Sequence, residues 1–204
     1  MREKILDKAN DLFLKLGFKS VTMDEIANEM AISKKTIYKY FNNKEQLIEA
    51  CVINMQDAID KMISDVSTQG RNAIEENFAI KNVFNDMFKK AETSPMYQLK
   101  KYYPAIYAKL MQREALTFSQ CIMTNIEKGI EEKIYRENID KEIVTKMYFT
   151  LLFGAYENEM FSNKMQDIFY TEMKILEYHT RAISTLYGIS ILERELVKNN
   201  QKNQ

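Results

Sequence analysis

Apolar side chains recur at helical spacing along almost the whole chain, and short polar breaks set the elements apart. Over residues 3–16, Ile5, Ala9, Leu12 and Leu16 form one stripe with Leu6 and Phe13 beside it, and Gly17 follows as a left-handed helix stop. In "TMDE", Thr22 is placed to cap the next helix and Glu25 to reach back to it, as in a capping box. That helix is short, carrying Ile26, Ala27 and Met30. The run "AIS" then turns the chain, and Ser33 is placed to cap a third helix over 34–41. Asn43, with Gln46 three residues on, opens a long helix whose inner face is Leu47, Ile48, Cys51, Val52 and Met55. Two short helices joined by a tight turn form a helix-turn-helix, in which the second helix enters a DNA major groove.

Beyond residue 70 the pattern stays helical. The run "GRNAIEENFAIKNVFNDMFKKA" predicts a helix with Ile80, Phe84 and Met87 or Phe88 inward. Ser94 with Pro95 marks another start, and Pro104 is expected to kink or split the helix it falls in. Further helices are predicted over 114–133, 140–161 and 166–187, the last ended by Gly188 and followed by a short helical tail to about residue 198. The polar end "KNNQKNQ" is expected to fray. Helix 140–161 is apolar nearly all round (Ile143, Val144, Met147, Tyr148, Leu151, Leu152, Ala155, Tyr156), so burial from more than one side is expected, with Gly154 and Ala155 admitting a close neighbour. With Ile168, Met173, Leu176, Ile183, Leu186 and Tyr187 of the next helix, it is the candidate for a four-helix dimer interface; ordinary intramolecular core is the alternative.

Composition narrows the choices. Two prolines and five glycines in 204 residues, with an apolar fraction of 46%, fit an all-α globular chain. The five glycines lie too far apart to build a phosphate-binding loop. Cys51 and Cys121 have no partner at metal-ligand spacing and read as buried free thiols of a reducing compartment. His179 is the sole histidine, which leaves no His-based triad and no His-rich metal site. No nucleophile, base and orienting group stand at consistent spacing, so neither an enzyme nor a cofactor is expected. The N-terminus is charged throughout, unlike a signal peptide, and the apolar stretch 147–156 is too short to span a bilayer, so a cytoplasmic location without a membrane partner is expected.

Charge then singles out one place. Lysine plus arginine and aspartate plus glutamate both number 29, yet "SKKTIYKYFNNK" (33–44) holds four lysines, three aromatics and no acid. On a helical wheel Ile37 and Phe41 point inward and Lys35 and Lys39 point away, with Thr36 and Tyr40 on one flank and Tyr38 on the other. Ammonium groups neutralise phosphates or donate to guanine, threonine meets a thymine methyl, and a phenol bonds phosphate. Lys44, at the next helix start, reaches the strand alongside.

Residues 5–52, and most specifically "TMDEIANEMAISKKTIYKYFNNKEQL", closely resemble the DNA-binding domain of the TetR family of bacterial transcriptional regulators. Thr22, Ile26, Ala27, Ser33, Thr36, Tyr38, Tyr40, Phe41, Lys44 and Leu47 fall on the family's preferred types. Ala31 and Lys35 stand where members often have glycine, so no relative's base preference carries over. The resemblance implies a homodimer on a double-stranded DNA operator, with a DNA-binding domain at 1–50 and a helical ligand-binding and dimerisation domain at 51–204. By position, Thr22, Tyr38, Tyr40 and Lys44 would contact phosphate. Lys34, Lys35, Thr36 and Lys39 would face base edges, and Ser33, capping that helix, is counted with them. In the family, an inducer spreads the reading heads and releases DNA.

The later helices carry much of the chain's 13 Met, 12 Tyr and 11 Phe. Tyr103, Tyr107, Met111, Phe118, Met147, Phe153 and Tyr156 are the candidate lining of a lipophilic small-molecule site. The set suits a fatty acyl chain and an aromatic molecule equally. A regulator without inducer, and a protein-binding adaptor that retains the helix-turn-helix, are the alternatives.

Overall fold

The structure is a computed structural model that describes residues 1–202. Its helices are α1 (Arg2–Leu16), α2 (Met23–Glu29), α3 (Lys34–Tyr38), α4 (Lys44–Ser67), α5 (Ala73–Phe88), α6 (Pro95–Tyr102), α7 (Pro104–Glu131), α8 (Lys141–Glu157), α9 (Met165–Ile183) and α10 (Leu186–Lys202). No strand forms among the described residues. Two isolated bridges, Thr93 with Lys164 and Tyr135 with Ser184, tie loops together. The fold is all-α, as expected.

The N-terminal start signals behave as the sequence predicts. Thr22 Oγ1 accepts from the Glu25 backbone N–H while the Glu25 carboxylate accepts from the Thr22 N–H, closing the capping box. Ser33 caps α3 and Asn43 caps α4, each by accepting the N–H three residues on. Around these caps Ile5, Ala9, Phe13, Ile26, Ile37, Phe41, Leu47, Ile48 and Cys51 close a small apolar core. Three details differ. Leu16 points outward, because α1 ends before its stripe meets another helix. Gly17 has a positive φ of 86° but ψ of 151°, so the chain leaves α1 extended and not in the left-handed helical well. Helix α3 ends at Tyr38, three residues early, and Phe41 reaches the core from the following turn.

Larger differences lie beyond residue 70. The inward face of α5 is Ile74, Asn77, Phe78 and Lys81, while Ile80 and Phe84 are only half-buried. Pro104 does split a helix: Tyr103, with φ of −139°, joins α6 to α7. From Pro104, which needs no N–H partner in a first turn, α7 then runs unbroken through residue 114. Gly188 does not end α9. It sits in the first turn of α10, where a Cβ would stand 2.2 Å from the Ile134 carbonyl oxygen. Helix α10 runs past residue 198 to Lys202, and the last two residues of the expected frayed end lie outside the described residues.

The second core joins α5, α7, α8, α9 and α10 through Ile74, Phe78, Ile126, Tyr135, Tyr148, Leu176, Ile183 and Leu192. Ile168, Leu176 and Ile183, expected at a dimer interface, are therefore core side chains of the single chain. What α8 and α9 leave outside is a different set: Ile143, Met147 and Leu151 at i, i+4 and i+8, exposed by 50, 56 and 40%, and Tyr170 and Tyr178. Leu186 and Tyr187 are also exposed.

Candidate nucleic-acid interface and interior cavity

Helix α3 is held by burial on one side and capping at its start. Ile37 is fully buried, and opposite it Lys35, Tyr38, Lys39 and Tyr40 are exposed, with Thr36 half-exposed. The turn before it requires Ala31 to adopt φ of 50°, the left-handed region, at a cost of about 1–2 kcal/mol for a residue with a Cβ. There Ile32 N–H donates to Ala27 O at 3.0 Å, which sets the angle between α2 and α3.

The nine predicted DNA-facing residues converge on one side of this unit but differ in freedom. Lys35 and Lys39 form no ion pair among the described residues. The Lys34 ammonium lies 2.8 Å from Asp24 Oδ2, and that hydrogen bond raises its pKa. Lys34 thus faces α2, which separates it from the other base-edge candidates. Ser33 and Thr36 bond each other through their hydroxyls at 2.9 Å, leaving the Thr36 methyl as its free recognition group. Thr22 is exposed, with its oxygen already engaged as a cap. Lys44 is partly buried, which lowers its pKa, and its ammonium donates to the Lys19 carbonyl at 3.0 Å.

One contact set ties this unit to the later helices, and sequence reading missed it. Gln98 on α6 accepts from the Phe18 N–H at 2.8 Å, and Tyr103 donates to the Phe18 carbonyl at 3.4 Å. A glutamine and a tyrosine eighty residues from their partner carry no local signal.

The seven predicted pocket residues do not converge. Tyr103, Tyr107 and Met111 pack against the N-terminal core, because the Pro104 break turns them toward it. Phe118 and Phe153 join an aromatic cluster with Tyr148 and Phe149. Met147 is 56% exposed. Tyr156 alone lines an interior cavity, together with Leu152, Ala155, Phe161, Ile168, Thr171 and Glu172. Its volume is about 10 Å³, room for one water molecule. Beside it Lys81 pairs with Glu172, to which Tyr156 also donates. Burial pushes the Lys81 pKa down and the Glu172 pKa up. His179 stacks on Tyr148 with centroids 4.0 Å apart, and burial lowers its pKa to about 4. Cys51 is fully buried and Cys121 half-buried, and burial pushes their thiols up to about 12 and about 11.

No helix among the described residues is long and apolar enough to cross a membrane. Residues 5–51 match the profile described as bacterial regulatory proteins, tetR family. The chain is 27% identical over 162 residues to the HTH-type transcriptional regulator YdeS of Bacillus subtilis, covering 73% of this chain and 74% of that one. It is 30% identical over 90 residues to the biofilm operon icaADBC HTH-type negative transcriptional regulator IcaR of Staphylococcus epidermidis, covering 44% of each. A transcriptional regulator from Cytophaga hutchinsonii shares the fold with a TM-score of 0.73 at 19% identity, over 90% of this chain and 98% of that one. The matched segment is the capped, three-helix unit whose basic face stands free. The chain is a DNA-binding protein and belongs to the TetR family of bacterial transcriptional regulators.

Proposed function

We propose that the chain is a repressor that binds a double-stranded operator as a homodimer and is released by a lipophilic small molecule. The observation that carries the DNA-reading part is the outward face of α3, with Lys35 and Lys39 unpaired among the described residues and flanked by Tyr38 and Tyr40. Lys35, Thr36 and Lys39 read base edges. Thr22, Tyr38, Tyr40 and Lys44 hold phosphates, and Lys34 joins them once its pair with Asp24 opens. Repression is the role named for IcaR, and it is extended here to this chain. The exposed stripe Ile143, Met147 and Leu151, with Gly154 open beside it, supports pairing of two copies through α8. The domains divide near residue 50, inside the unbroken α4, so displacement at one end of that helix reaches the other.

The cavity of about 10 Å³ favours a second reading, a regulator that takes no inducer. One experiment tests the DNA-reading part. Fragments of the source genome are selected for binding, and the best is titrated against variants at several salt concentrations. Lys44→Ala should weaken all sequences alike and reduce the salt slope by about one. Lys39→Ala should change base preference at one position by about 1–3 kcal/mol. Unchanged affinity and slope in both variants would remove α3 from the interface.

A further inference from the structure

The second core holds an ion pair at the wall of its cavity. Glu172 on α9 and Lys81 on α5 are 7% and 8% exposed. One Glu172 oxygen accepts from Lys81 and the other from the Tyr156 hydroxyl. Lys81 also donates to Asn85 at 2.6 Å and lies over the Phe169 ring, 4.8 Å from its centroid. Burying two charges costs several kcal/mol each in desolvation, and an apolar pair of similar size is often equally or more stable. Packing alone therefore gives no reason for these two residues here.

The cavity sees only one member of the pair. Glu172 lines it and Lys81 does not. A carboxylate offers about four acceptor positions, and two are engaged. The polar groups facing the space are thus a carboxylate with acceptor capacity left and the hydroxyls of Tyr156 and Thr171, and the rest of the wall is Leu152, Ala155, Phe161 and Ile168. Such walls match a donor-bearing cation with an apolar body, stabilised by the carboxylate and by ring faces.

We propose that this cavity is the binding site of a lipophilic organic cation, with Glu172 as its counter-charge and Lys81 as the internal cation it displaces. The proposal rests on the ligand-released reading given above and names its ligand class. Phe161, 45% exposed, is the wall that must swing to admit more than one water. It belongs to the 158–164 segment, where Asn163 O accepts from Ser94 N–H at 2.9 Å and the Met165 N–H donates to Glu92 O at 3.0 Å. Ser94 caps α6, and Gln98 on α6 holds the Phe18 N–H. An occupant that moves Phe161 therefore acts on the contact that orients the reading unit.

The test uses the full chain and three ten-carbon probes of different charge: decylamine, decanol and decanoate, titrated calorimetrically at pH 7. Decylamine should bind tightest. Glu172→Gln should weaken it at least tenfold, to the level of decanol. Lys81→Met should strengthen it several-fold, because the competing cation is gone; a purely structural pair would give no such gain. If Glu172→Gln fails to fold, the Glu172→Gln/Lys81→Met double variant, which strands no charge, replaces it with the same expected loss. Absence of decylamine binding, equal or tighter binding of decanoate or decanol, or indifference to the loss of Glu172 would each overturn the site. DNA release is read separately. Decylamine bound through Glu172 while the selected fragment stays bound would sink the ligand-released reading and leave the site standing. Release by another ligand from a protein that ignores decylamine would do the reverse.

Discussion

The two cores of this molecule treat polar groups in opposite ways. Residues 1–52 bury no polar or charged side chain; their hydroxyls and amides sit at the surface and cap helices three residues away. The later helices bury Gln56, Glu76, Asn77, Lys81, Asn125, Glu172 and His179 among others, and satisfy many of them across forty-eight residues or more. A polar group used locally fixes where a helix starts and costs little desolvation. A polar group used at long range inside a core fixes which helices meet, and it strands its partner when the meeting fails. The reading unit is thus built to keep one shape, and the larger domain to hold its shape through contacts that a ligand or a proton can contest.

Three perturbations probe that contrast. The largest effect is expected at Asn125, which donates to Ala73 O and to Glu76 and accepts from Asn77 and from the Tyr135 hydroxyl. Asn125→Leu strands several buried groups at once and should cost about 4 kcal/mol in urea unfolding. A loss below about 1 kcal/mol would mean that water replaces the amide. Next is acid. His179 is kept neutral by burial with a pKa of about 4 against an ordinary 6.5, so the unfolded chain takes up the proton first as pH falls. Its contribution is complete above about pH 6.5 and disappears progressively toward pH 4, about 3 kcal/mol in all. Unfolding curves of the wild type and of His179→Phe should diverge only in that window; parallel curves would show a solvated histidine. The smallest effect is expected in the reading unit: Thr22→Ala should cost about 1 kcal/mol and Thr22→Ser close to nothing. A loss as large as that of Asn125→Leu would erase the difference between the two cores.

The same contrast explains what could be read in advance. The caps at Thr22, Ser33 and Asn43, and the inward pair Ile37 and Phe41, were legible because each signal and its partner lie within four residues. The split at Pro104 was legible because proline acts on its own backbone. Lys81 looked like a solvated lysine, and Ile168, Leu176 and Ile183 looked like interface, because burial there depends on helices ninety residues away and on which side they choose. The candidate pocket failed for the same reason. Tyr103, Tyr107 and Met111 share the aromatic and sulfur chemistry of Tyr156, but the Pro104 break sends them to the other core.

Gly17 has a consequence for how such proteins diversify. A Cβ there would stand 2.6 Å from Gln98 Oε1, the atom that accepts the Phe18 N–H. Alanine would also meet an unfavourable positive φ. A reading head grafted onto this body must therefore carry glycine at that place, and a body grafted under this head must supply an acceptor that fits over it. Recombination between relatives is filtered at this single joint, so head and body are inherited as a matched pair even though the bases they read and the molecules they sense are free to drift apart.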